Sequence, residues 1–226
     1  MNVKTFSLLV LFCISFCSKK SFGQDNYNMW YQYLMSAKLK KSNLTILSQY
    51  RSYDLALDSR LFLVSAYYDY EIKDNIKPAI GLMYLNINPY IDDFSKKSRN
   101  EIRPFQQITL DFKAYNISFS NRFRIEERFL TNPDLFILRA RYLLSLRIPL
   151  NLDTKKSYYG IFKNEIRLNL KNDDFFDSDR ITLGMGYKMS EKSALEIAYI
   201  NQIETKRTNH YAYIGFRNSF DWRKNK

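Results

Sequence analysis

Over residues 117–128, every second position reads Ile, Phe, Asn, Phe, Ile, Glu, and the interleaved positions read Ser, Ser, Arg, Arg, Glu, Arg. The next stretch repeats the pattern: Phe136, Leu138, Ala140, Tyr142, Leu144, Leu146 and Ile148 alternate with Arg139, Arg141, Ser145 and Arg147. A period of two describes extended strands with one apolar and one polar face. These runs reach about a dozen residues, the length a tilted strand needs to cross a hydrocarbon layer. Apolar residues turned out and charged residues turned in predict a transmembrane β-barrel.

The same alternation recurs along the chain. Met29, Tyr31, Tyr33, Met35, Ala37 and Leu39 share a face, and residues 44–53 follow after a turn at 40–43, with Gln49 and Arg51 on the polar side. Phe62, Val64, Ala66, Tyr68, Tyr70 and Ile72 oppose Ser65, Asp69 and Glu71. Residues 76–87 are the least regular segment, because Pro78 lacks a ladder donor and belongs near a strand end. A polar insert at 88–100 reads as a surface loop, and Glu101, Arg103, Gln107, Thr109 and Asp111 then oppose Ile102, Ile108, Leu110 and Phe112. Later segments place Lys163, Glu165, Arg167 and Asn169 inward, then Arg180 and Thr182, then Glu196, Ala198 and Gln202, and finally Tyr213, Arg217, Ser219 and Asp221. Residues 171–178 read as a polar loop.

Eleven segments emerge, whereas single-chain bacterial barrels have an even number. The expected fold is therefore an all-β, up-and-down antiparallel transmembrane barrel of ten to twelve strands, twelve preferred. Parity would require a missed or split strand in 24–53, or a misplaced 76–87. Short turns face inward and longer loops outward in such barrels. A periplasmic C-terminus then puts 205–209, 171–178, 129–134 and 88–100 outside. It puts 190–193, 149–156, 113–116 and 73–75 inside.

The N-terminus carries Lys4, an almost wholly apolar run at 5–17, and Gly23 before Gln24. This describes a secretory signal peptide, residues 1–23, ahead of a single barrel domain at 24–226. The rival reading is a lipoprotein acylated at Cys17, opposed by the bulky Phe16 before it. Cys13 and Cys17 both fall in the leader, so the remaining chain has no disulfide or thiolate metal site. The mean hydropathy of −0.41 suits strands whose polar half faces a lumen.

The formal charge is +12, and without the three leader lysines it is +9. Nucleic acid would be a natural partner for such a chain. Yet the arginines are spread over strand faces, and an aromatic content of 16% suits interface girdles better than base stacking. The expected partners are outer-membrane lipid and, during biogenesis, the barrel-assembly machinery, with no nucleic acid and no cofactor.

The inward residues carry the candidate chemistry. Glu101, Arg103, Gln107, Arg122, Arg124, Glu126, Arg128, Arg139, Arg141, Glu165, Arg167, Arg180 and Arg217 are the expected lumen-lining set. Neighbouring antiparallel strands bring same-side residues together, and guanidinium groups fork onto carboxylates. One reading is a structural ladder that fills a narrow lumen; another is an anion-preferring passage. A lipid-acyl hydrolase would need a nucleophile and base, but the lone His210 faces the lipid side with Asn201, and no serine, at its height. Catalysis and metal binding are therefore not expected. A soluble periplasmic barrel would need polar outer faces, which these strands lack.

Glu101-Ile-Arg103 with Gln106-Gln107, Arg122-x-Arg124-x-Glu126-x-Arg128 and Arg139-x-Arg141 resemble the core of domain of unknown function 2490. Asn164-Glu165, Asp179-Arg180 with Gly184-x-Gly186-Tyr187, Tyr199-x-x-Gln202 and the early Trp30 continue the likeness in order, over about Trp30 to Phe220. Members of that family are similar in being exported barrels of Gram-negative bacteria, and the leader and composition look like a Bacteroidetes source. The resemblance implies a fold and an outer-membrane location, and no activity.

Overall fold

The computed structural model describes residues 28–73, 75–150, 157–171 and 174–223; the leader expected at 1–23 lies outside them. The alternating segments form eleven strands: β1 (Asn28–Lys38), β2 (Ser42–Ser52), β3 (Ser59–Tyr70), β4 (Ile76–Ile87), β5 (Arg99–Ala114), β6 (Ile117–Leu130), β7 (Leu135–Leu150), β8 (Tyr158–Asn169), β9 (Phe176–Lys188), β10 (Ser193–Ile203) and β11 (Thr208–Asp221). Each pairs with its sequence neighbour in antiparallel register, and β1 pairs with β11 to close the barrel.

Eleven lies within the expected ten to twelve, but the preference for twelve is corrected. All eleven segments are strands, none is split, and β4 keeps the bounds read for it. Parity fails because the closing pair is parallel, Trp30 opposite Tyr213 and Leu34 opposite Arg217. An odd number of alternating strands leaves the first and last pointing the same way. The sheet can then close only through one parallel ladder, and the described chain enters the barrel at one end and leaves at the other.

Proline positions follow the donor rule. Pro78 is the third residue of β4, beyond the last β3 pair at Asp69–Ala79. Pro104 falls inside β5, and the β5–β6 ladder omits Arg103 and Pro104 between the Ile102–Phe129 and Phe105–Glu126 pairs. A missing N–H thus interrupts one ladder without ending the strand.

Outward faces are apolar and uncovered. Ile80, Leu82, Ile102, Phe123, Leu183 and Ile197 all stand exposed, Leu82 at 53%. Cross-strand aromatic pairs ring both ends of this face. Phe112–Phe119 (4.8 Å) and Tyr158–Tyr187 (4.9 Å) lie at one end, Phe129–Phe136 (5.2 Å) and Tyr31–Tyr50 (6.4 Å) at the other. Such pairs add to sheet stability beyond their buried area. Polar outward groups satisfy one another, as where Tyr142 donates to Asn121 (2.7 Å) and Asn164 to Asp179 (2.7 Å).

The interior divides into two kinds of wall. The side formed by β3, β4 and β5 packs Leu61, Leu63, Met83, Leu85 and Phe105 into a buried apolar cluster. The alternation does not announce this cluster, since β3 and β4 read as apolar on both faces there. Gly81 lets it close: a Cβ would sit 2.5 Å from the Tyr67 Cβ and 2.7 Å from the Ala66 carbonyl. The opposite wall is ionic.

Candidate functional site

Five adjacent strands, β5 to β9, present arginine and carboxylate side chains at matching heights, because their register places inward residues directly opposite. Arg124 pairs with Gln107 on one side and Arg141 on the other; Arg141 pairs with Arg167, and Glu165 with Arg180. Stacked guanidiniums would repel, so each carboxylate is shared among several arginines.

Glu126 is fully buried. It accepts from Arg139 at 2.6 Å, from Arg141, and from Arg124 at 3.4 Å, with the Arg103 guanidinium 3.8 Å away. Glu101 takes two forks, from Arg103 (2.5 and 2.8 Å) and from Arg128 (2.5 and 3.2 Å). Glu165 accepts from Arg122 (2.9 Å), Arg141 (2.7 Å) and Arg180 (3.3 Å). Two amides extend the network: the Gln107 carbonyl accepts from Arg124 (2.5 Å), and Gln202 from Arg180 (2.7 Å). Bidentate, charge-assisted bonds of this kind fix geometry as well as energy.

All thirteen expected residues face inward. Twelve join or flank this network, while Arg217 lies apart and donates to Glu196 (3.1 Å), which also accepts from Tyr159 (2.9 Å). Gln49, also read as inward, donates to Gln32 (2.7 Å) and accepts from Arg51 (2.9 Å).

Two inward charges lie where alternation could not place them. The β8–β9 register shifts between Arg167 and Leu168, opposite Ser178 and Phe176, so Asp177 is the extra residue of a bulge. The 171–178 loop is therefore corrected: the strand begins at Phe176, and the bulge turns Asp177 inward, 3.5 Å from both Arg139 and Arg167 and 3.9 Å from Arg128. Between Arg51 and Ser52 the β2–β3 register shifts likewise, so Arg60 is the extra residue. It reaches Asn28 (3.1 Å) and the Tyr211 ring (5.3 Å) inside the barrel. Bulges re-aim side chains in this way near barrel rims. Only a strand register reveals them.

Above this wall lies Trp30, buried with Ile200, Tyr211 and Tyr213. The Arg51 guanidinium stands 3.5 Å from its ring centroid and that of Arg180 4.7 Å. The remaining lumen has a volume of about 1510 Å³ and is lined from both ends of the barrel, by Tyr53 and Tyr90 at one and Lys77 and Arg147 at the other. At the first end the connection after β2 is tied to that after β4. Lys96 donates to Asp58 and to the Ser59 carbonyl (2.8 Å), and Tyr90 donates to Asp58 (2.8 Å). Partial burial would raise the Asp58 carboxyl, but the Lys96 and Tyr90 bonds hold it below its ordinary value. Burial would lower the Lys96 ammonium, and Asp58 holds it above.

His210 donates to or accepts from Tyr199, stacked at 5.8 Å, and sits opposite Asn201 on the outward face. Among the described residues, no three His, Cys, Asp or Glu gather to hold a metal ion.

Fold and site together define a closed β-barrel with an apolar exterior and an arginine–carboxylate lumen. The sequence matches the family described as Protein of unknown function (DUF2490) over residues 27–213, and the chain belongs to that family. No curated protein matches it.

Proposed function

We propose that this chain is an outer-membrane β-barrel of Gram-negative type, inserted by the barrel-assembly machinery, whose lumen is braced by its ionic wall. The carrying observation is the inversion of polarity: large apolar side chains are exposed around the outside, and Glu101 and Glu126 are wholly buried inside. A soluble barrel would waste its driving force on such a surface, since burial of that apolar area is what stabilises a fold. In lipid the closed ladder leaves no backbone group unpaired at an edge. Strands of 11–16 residues are long enough for the crossing.

The shared carboxylates support a structural, non-catalytic role for the wall, because Glu101, Glu126 and Glu165 each spend their oxygens on two or more arginines. Fractionation of cells tests the location. The chain should stay with membranes through high-salt and carbonate washes and leave only with detergent. Recovery in the soluble fraction would overturn the reading.

A second role is favoured by the lumen of about 1510 Å³ lined from both ends. It is a narrow passage that prefers anions, because inward arginines outnumber carboxylates. Planar-bilayer recording of the refolded barrel should give small anion-biased steps; a flat current removes this role and leaves the first untouched.

A further inference from the structure

The ionic wall does not balance. Among the described residues, Arg103, Arg122, Arg124, Arg128, Arg139, Arg141, Arg167 and Arg180 share only Glu101, Glu126, Glu165 and Asp177, eight positive groups against four negative. Excess buried charge of one sign is expensive unless something compensates it. The deficit is uneven. Glu101 and Glu126 are saturated by forks from arginines beside them, whereas the arginines nearest Trp30 are short of acceptors.

Arg167 is 92% buried, yet among the described residues it makes no hydrogen bond and its one ionic contact is Asp177 at 3.5 Å, which Arg128 and Arg139 also claim. Arg51 donates to the neutral Gln49 (2.9 Å), and its Nε, also buried, has no partner among the described residues. Arg180 spends two donors on the neutral Gln202 and reaches a shared Glu165 only at 3.3 Å. Arg51 and Arg180 both lie against Trp30, and Arg167 is a like-charged neighbour of each. Three guanidiniums from β2, β8 and β9 thus meet across the lumen. The indole fixes two of them, and all three side chains line the cavity. Flat cations resting on an aromatic face are pre-organised donors.

We propose that Arg51, Arg167 and Arg180 form a binding site for a small water-soluble oxyanion, of phosphate or carboxylate class. This rests on the reading of the lumen as an aqueous space, and it requires neither conduction nor a membrane. The anion takes the free N–H groups and offsets the surplus charge. Because the site opens to the lumen and not to the apolar exterior, the occupant comes from solution and not from a lipid head group.

Trp30 and Trp222 are the chain's two tryptophans. In a Trp222→Phe barrel refolded in phosphate-free maltoside micelles, the emission therefore reports Trp30 alone. Inorganic phosphate or citrate should change that emission saturably, with a midpoint in the millimolar range or tighter, while chloride at equal ionic strength gives only a shallow screening response. Arg167→Gln should weaken the midpoint about tenfold or more, as expected for losing one charge-assisted contact. Arg51→Lys, which keeps the charge and loses the fork, should weaken it less. Phosphate and citrate traces that match chloride, or an unchanged midpoint in Arg167→Gln, overturn the site. Membrane extraction answers the location separately, and a saturable titration with flat bilayer current keeps the site while removing the passage.

Discussion

Glu126→Gln is the sharpest test of the ionic wall. The substitution keeps the shape and an acceptor oxygen, and removes one negative charge from a carboxylate that is 0% exposed. Three arginines donate to that carboxylate and a fourth stands 3.8 Å away. The surplus of the wall rises from four positive charges to five. Removing one member of a buried ion pair costs about 3–5 kcal/mol, because the partner stays buried and uncompensated. Here four partners are affected, while lumen water screens part of the loss, so about 3–5 kcal/mol is the expected destabilisation. The assay is urea unfolding of the barrel from lipid vesicles, followed by far-ultraviolet circular dichroism. The neighbouring outward Glu127→Gln is the control, with an expected effect within about 0.5 kcal/mol. Arg141→Met added to Glu126→Gln should recover part of the loss, since it removes one surplus cation while Glu165 keeps Arg122 and Arg180. A Glu126→Gln effect under about 1 kcal/mol would refute the reasoning.

Other consequences follow from the same geometry. Leu82→Arg, in the middle of the outward face of β4, should destabilise the barrel by about 2–4 kcal/mol in lipid, whereas in a soluble barrel it would be close to neutral, so unfolding from vesicles reads the environment directly. Gly184→Ala would bring a Cβ to 2.4 Å from the Ile197 carbonyl and 2.5 Å from the Ala198 Cβ, neither of which can rotate away, and should cost about 1–3 kcal/mol in the same unfolding assay. The Asp58–Lys96 tie should hold at neutral pH. The depressed Asp58 contributes stability present above its ordinary 3.8 and lost as pH falls through the folded value, and the raised Lys96 contributes stability present below 10.5 and lost only above it. Spin labels on the connections after β2 and β4 should therefore separate only as pH falls below the ordinary 3.8 of the carboxyl, and in Asp58→Asn at neutral pH, and unchanged distances would show that the tie is not what joins these loops.

Much of the barrel was legible in the residue order because the strand period is two and one face had to be greasy. That rule locates all eleven strands and places Arg103, Glu126 and Arg141 inside. It could not decide the number of strands by parity, because closure depends on how β1 meets β11, a contact between the two ends of the described chain. Asp177 and Arg60 were hidden for a related reason: each sits one residue out of phase, and only the ladder exposes the bulge that turns it inward. The apolar cluster around Leu63 and Phe105 was masked because residues 61–64 and 82–85 are apolar on both faces, so the alternation there does not show that part of the lumen wall is itself apolar.

The amino-acid order by itself determined an all-β chain of long two-faced strands, its turns, its surplus of positive charge and the side of each strand that carries it. Those features are local, set by alternation and turn chemistry within a dozen residues. Only the tertiary structure decided the parallel closure and the sharing of each carboxylate among several arginines. The meeting of Arg51, Arg167 and Arg180 was decided there too, because β2 and β8 are far apart along the chain and approach only when the sheet curls shut.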